Sequence, residues 1–409
     1  LVALTTDQVK GFTTAQIAAL TTVQLTAMET ADVAALTTTQ LRALASTQMP
    51  GLTTAQVANL TTAQIAGLAS SQIAGLSTAQ LAGMGTAQMA GFGTAQIGAL
   101  SSTQVAAMTT AQLGQFSTTQ LGGFSTTGVK GMTTAQLVAL TTAQITGITT
   151  AQVGALSTAQ VAAIETADLA VMTTAQLRSL ASSQAAALTT AQVANLTTTQ
   201  VAGLATTQLG GLTSTQVAAL TTGQVAALST VQIAGISTVG VKGLTTAGVV
   251  ALDTNQIKGL TSGQIAALST AQVAAIETAD LAAMTTAQVP GFTTAGIAAM
   301  ITAQTANLGT AQLRALTSAQ APALTTAQVA NLTTAQIAGF ASTQLGAMTS
   351  GQIAAFSTAQ YGQFSTTQLA AISTSALRGM ETADLVALTT DQVKGFTTAQ
   401  IAALTTVQL

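Results

Sequence analysis

The chain has 409 residues, nine of them basic and eleven acidic, for a formal charge of −2, and it has no cysteine, histidine or tryptophan. Residues counted as hydrophobic make up 48% and charged residues 5%, the reverse of a disordered composition. The balance offers no basic footprint for nucleic acid, and without cysteine there is no disulfide frame, thiol nucleophile or thiolate metal site.

The first complete phrase, residues 4–11, reads L-T-T-D-Q-V-K-G. With Leu4 as position 1, the phrase recurs every eight residues to Leu404, 51 times, with no insertion or deletion. Position 1 is always Leu, Met, Phe or Ile, and position 3 is always Thr or Ser. Position 5 is Gln except at Asp32, Asp168, Asp280, Asp384, Gly128, Gly240, Gly248, Gly296 and Ala376. Position 6 is Val, Ile, Leu or Met apart from Ala185, Thr305, Ala321 and Tyr361. A fixed short period without slippage marks a solenoid, in which each unit packs on its neighbours. Residues 1–409 are expected to form one continuous octapeptide-repeat solenoid with no linker.

Apolar positions 1 and 6 are spaced alternately by five and three. A straight helix would wind that stripe around its axis, because eight residues overshoot two turns by about 80°. A straight strand would place the two positions on opposite faces. The chain must therefore turn once per octad. Thr or Ser at position 2 with Gln at position 5 is a capping box, and positions 1 and 6 are then the two halves of a hydrophobic staple. Gly or Asn at position 8 (Gly11, Gly51, Asn59, Gly67, Asn195) reads as a left-handed stop. The predicted fold is all-α: a solenoid of very short helices at about positions 3–7, one per octad, with 1 and 6 buried and 7 exposed. The competing fold is a β-solenoid, since Thr, Val and Ile suit strands and Gln columns can ladder between coils. Position 3, stricter than position 2, is either the true cap or a hydroxyl that bonds across repeats.

Along the chain, the departures from the phrase are few. Asp7 and Lys10, three apart, suit a weak helical ion pair, and Asp391 and Lys394 repeat it. The octads that begin E-T-A-D at Glu29, Glu165, Glu277 and Glu381 hold two carboxylates three apart. These could suit a hard cation, but no further ligand cluster accompanies them, so a charged capping box is the reading. All nine basic residues, from Lys10 and Arg42 to Arg378 and Lys394, fall at position 7, and no charge falls at 1 or 6, as expected if 7 faces solvent. Pro50, Pro290 and Pro322 also fall at position 7, so the helices there must be shorter still. Apolar runs stop near five residues (I-A-A-M-I, 297–301), far below the roughly 20 of a membrane span. Gly122-Gly123 lacks a phosphate-loop pattern. Tyr361 takes a core slot. With no histidine for general base work and hydroxyls placed by the period, without a partner base, no catalytic, cofactor-binding or metal-binding residue is expected. The final 25 residues, 385–409, repeat residues 1–25 at an offset of 384. The segment therefore reads as a slice of a longer chain with a 384-residue higher-order period.

Tandem L-T-T-A-Q-[V/I]-A-A octads resemble those of very large bacterial secreted proteins, described as large exoproteins of the adhesion or haem-utilisation type. The resemblance spans the chain and implies secretion, a cell-surface or matrix location, and a fibre or stalk role. It transfers no ligand residues, and neither His nor Cys is present to ligate haem iron. Ice-binding solenoids are a weaker analogy, because adjacent threonines would point to opposite faces of a strand. The expected function is structural: an extracellular fibre or surface array formed by self-association, with an adhesin stalk as the alternative. No nucleic acid, membrane span or enzyme activity is expected.

Overall fold

The computed structural model describes residues 4–408. It divides into two compact units, Leu1–Leu204 and Ala205–Leu409. The described residues hold 47 α-helices and three 3-10 helices and no strand. The all-α reading holds and the β-solenoid does not.

Each α-helix begins at the predicted position 3, as in Thr54–Ala58, and some extend to position 8, as in Thr62–Gly67. The cap is position 2. Thr53 Oγ1 accepts from the Gln56 N–H (3.1 Å), and Gln56 Oε1 accepts from the Thr53 N–H (2.6 Å), closing the box. Where position 2 is Ala69, Gly85 or Ile301, only the glutamine half survives, at 2.7–2.8 Å. After one turn the next position-1 residue becomes extended, as at Leu68 (φ −68, ψ 148), and redirects the chain. A β-region residue between one-turn helices is what the staple geometry requires.

The left-handed stop at position 8 is absent. No described residue has a positive φ, and Gly75 and Gly83 sit at φ −79. At Gly51 glycine instead makes room for another backbone: a Cβ there would lie 2.8 Å from Thr22 Cα, three octads earlier. The proline octads behave as their rings require. Pro50, Pro290 and Pro322 lie in the 3-10 segments Ser46–Gly51, Val289–Gly291 and Ala321–Ala323, whose tighter turn dispenses with the missing N–H.

The helices stack every third octad. In the first unit Thr78–Ala82 packs on Ser102–Ala107, which packs on Thr126–Lys130, which packs on Thr150–Ala155. In the second, Thr206–Gly211, Thr230–Gly235, Thr254–Gly259 and Thr278–Ala283 form another such file. One coil is therefore three octads, with three helical sides. Positions 1 and 6 fill its interior: Leu60 and Ile65 are 3% and 0% exposed, as are Leu332 and Ile337 at 4% and 0%. Edge-to-face rings add to the core at Phe92, Phe116 and Phe124, with centroids 6.3 and 5.6 Å apart, and again at Phe356, Tyr361 and Phe364. Tyr361 is fully buried and donates its hydroxyl to the Ile353 carbonyl (2.6 Å), as a packing residue would.

Candidate functional site

The position-5 glutamine does more than close its cap. Gln56 Nε2 donates to the Leu25 carbonyl (2.9 Å) and the Met28 carbonyl (2.7 Å), 31 and 28 residues back. Gln264 donates to Ile233 and Ile236 at the same offsets (2.8 and 2.6 Å). Each such side chain ties its own helix start to the last turn of one helix in the coil below and to the bend that follows it. The neighbouring coil buries it: Gln56 is 1% exposed, whereas Gln8, Gln16 and Gln24, with no described coil before them, are exposed. A glutamine ladder had been expected only of the β-solenoid. Its signal is in the sequence. A capping box accepts Glu as readily as Gln, yet no octad has Glu at position 5, because the amide N–H groups are in use.

The position-3 hydroxyl is not the cap. It is the first helical residue and lies against the coil above, as the close approach of Thr22 to Gly51 shows. In several octads it also bonds across coils: Thr6 Oγ1 donates to Asp32 Oδ1 (2.9 Å), and Thr382 Oγ1 to the Val407 carbonyl (2.8 Å).

The E-T-A-D pairs are divided. Glu29, Glu165, Glu277 and Glu381 are exposed, while Asp32, Asp168, Asp280 and Asp384 are buried, at 2–5% exposure, in the glutamine slot. The glutamate half of the charged capping box forms in none of the four, and the aspartate half only in the last. Glu29, Glu165, Glu277 and Glu381 make no side-chain cap hydrogen bond; in the last octad, Asp384 accepts from the Glu381 N–H (3.2 Å). Burial pushes the Asp168 carboxyl up, with the Glu165 charge adding and the Thr142 hydroxyl opposing. Asp280 is raised by burial, then by Glu277 and by Asp253 on the coil below. Asp384 is raised by burial and by the Glu381 charge, against the Glu381 N–H. A carboxylate can only accept, so these joints lose the glutamine donors.

No group of three or more His, Cys, Asp or Glu could hold a metal among the described residues. The expected ion pairs form, Lys10 with Asp7 (3.3 Å) and Lys394 with Asp391 (2.9 Å), both largely exposed and so worth little. The latter pair borders a shallow groove of about 510 Å³ shared with Thr366, Thr367, Ala370 and Gly395. No described helix is long and apolar enough to cross a membrane.

What the arrangement can do is join coil to coil by one repeated contact. The ALTTAQ repeat family model matches the chain in overlapping windows, among them residues 1–30, 25–62, 105–142, 198–238 and 377–409, which together cover most of its length. No curated protein matches the chain. On those matches, and with a phrase that fills 51 octads without a break, the chain belongs to the ALTTAQ repeat family.

Proposed function

We propose that this helical repeat segment serves as a structural element of an extracellular fibre or surface array. The observation that carries the reading is the joint itself: one glutamine-tied contact, repeated coil after coil, with no built ligand site described along it. The surface supports lateral packing. It carries 20 charged residues in 409, well below what keeps dispersed proteins apart, and Ala, Gly and Thr faces can approach closely. Secretion rests on the resemblance to large exoproteins. Negative-stain electron microscopy of the purified chain at rising concentration tests the reading. Filaments or rafts are expected. Monodisperse particles at high concentration would count against self-association, and attachment to cells or mineral without filaments would favour an adhesin stalk.

A further inference from the structure

We infer that residues 124–131, 236–243 and 372–379 are tight joints, octads built without the glutamine spacer so that one side of the coil closes in and the solenoid axis turns locally toward it.

These three octads read F-S-T-T-G-V-K-G, I-S-T-V-G-V-K-G and I-S-T-S-A-L-R-G. Each lacks Gln at position 5, where Gly128, Gly240 and Ala376 stand, and each ends in Gly at position 8. Three octads earlier, each faces Ser at position 3: Ser102, Ser214 and Ser350. A Cβ on Gly131 would lie 2.1 Å from the Ser102 carbonyl oxygen. The corresponding distances are 1.9 Å for Gly243 to Ser214 and 1.9 Å for Gly379 to Ser350. Position-8 glycines in octads that keep Gln stand further off: the nearest atom of the coil below lies 2.3 Å from the Cβ site at Gly75, 2.7 Å at Gly51 and 3.6 Å at Gly83. The closest approaches thus coincide with the missing glutamines. The serine fits the same account, because a threonine methyl would fill the gap, as Thr38 Cγ2 does 2.9 Å from the Cβ site of Gly67.

The asymmetry is clearest around Gly128. Thr126–Lys130 packs on Ser102–Ala107 without a glutamine. The other two sides of that joint keep theirs: Gln136 donates to Val105 and Met108, and Gln144 to Leu113 and Phe116. One short side and two normal sides make a wedge. All three octads also carry a base at position 7, Lys130, Lys242 or Arg378, which labels the wedge on the outer surface.

The chain has no cysteine, so pairs of nitroxide labels can be placed at will on the full chain. Ala82→Cys with Ala106→Cys spans an ordinary joint of one file; Ala106→Cys with Lys130→Cys spans the tight joint next to it. All three positions are exposed, and both pairs are separated by three octads. Dipolar distance measurements are expected to give a shorter mean for the second pair. In the Gly128→Gln/Gly131→Ala background that distance should lengthen toward the value of the first pair. Equal distances in the parent chain would overturn the inference, and so would a folded double variant whose distance stays short. If circular dichroism shows that the double variant does not fold, the parent comparison decides alone.

Discussion

At the scale of single residues, the position-5 side chain governs how coils hold together. Gln56 makes a capping bond and two bonds to the coil below. Gln56→Ala removes all three and leaves the Met28 carbonyl without the amide donor, while the Leu25 carbonyl keeps the Met28 N–H, a loss of roughly 2–4 kcal/mol. The same change at exposed Gln16, which closes its own cap, should cost under about 1 kcal/mol. Urea titrations of the two variants are expected to show a clear midpoint shift for the first and a slight one for the second; equal shifts would deny the ladder its role. The buried aspartates make a second prediction. Asp168, Asp280 and Asp384 are raised above their ordinary 3.8 in the fold. The folded state therefore binds more protons than the unfolded one, and stability falls with rising pH. Their contribution is fully present below 3.8 and is lost as pH climbs through the raised values. Denaturation should show the chain gaining stability from neutrality to about pH 3.5 on this account. Asp168→Asn should raise stability at pH 7 and shrink the gain; an unchanged profile in that variant would remove Asp168 from the explanation.

At the scale of the element, the sequence was legible wherever the cause lies inside eight residues. The capping box, the staple, the exposure of position 7 and the break from α-helix to 3-10 turn in the proline octads, short at Pro290 and Pro322 though not at Pro50, all follow from neighbours along the chain. The ladder was hidden because its acceptors lie 28 and 31 residues away and every octad resembles its partner. The same distance hid the role of Gly51, which answers a neighbouring backbone rather than its own dihedral angles. The E-T-A-D octads were misread as charged caps because the burial of position 5, where Asp32 and its counterparts stand, is imposed by the neighbouring coil rather than by residues within the octad. A gap in the ladder without the tight-joint pattern is open to repair. Gly248 is followed by Ala251 at position 8, and its Cβ site has no contact nearer than 3.3 Å. Gly248→Gln would recover helix propensity, roughly 0.5–1 kcal/mol, and could reach the Val217 and Leu220 carbonyls for about 1 kcal/mol more. A higher urea midpoint is expected, and a lower one would mean the slot is closed.

At the scale of the whole molecule, the three-octad coil gives the terminal identity a meaning. The offset of 384 residues between residues 1–25 and 385–409 is 48 octads, which divides evenly into three-octad coils. A period that ended mid-coil would shift every departure from the phrase to a new side at each recurrence. Sequencing the complete reading frame is expected to show the 384-residue unit again; a frame bounded at Leu1 and Leu409 would refute it.

The reach of the ladder also bears on how such a chain could be made. Its glutamine bonds span at most 31 residues, a very low contact order for an assembly of this length, and low contact order goes with fast folding. A newly emerged stretch need not wait for a distant partner; it meets its acceptors on the coil laid down just before it. The completed coil is the template for the next, so order can propagate from one end at the pace of delivery. A polymer passed through a narrow export channel as an unfolded thread could be wound up coil by coil as it leaves, and each coil that closes outside would oppose its return.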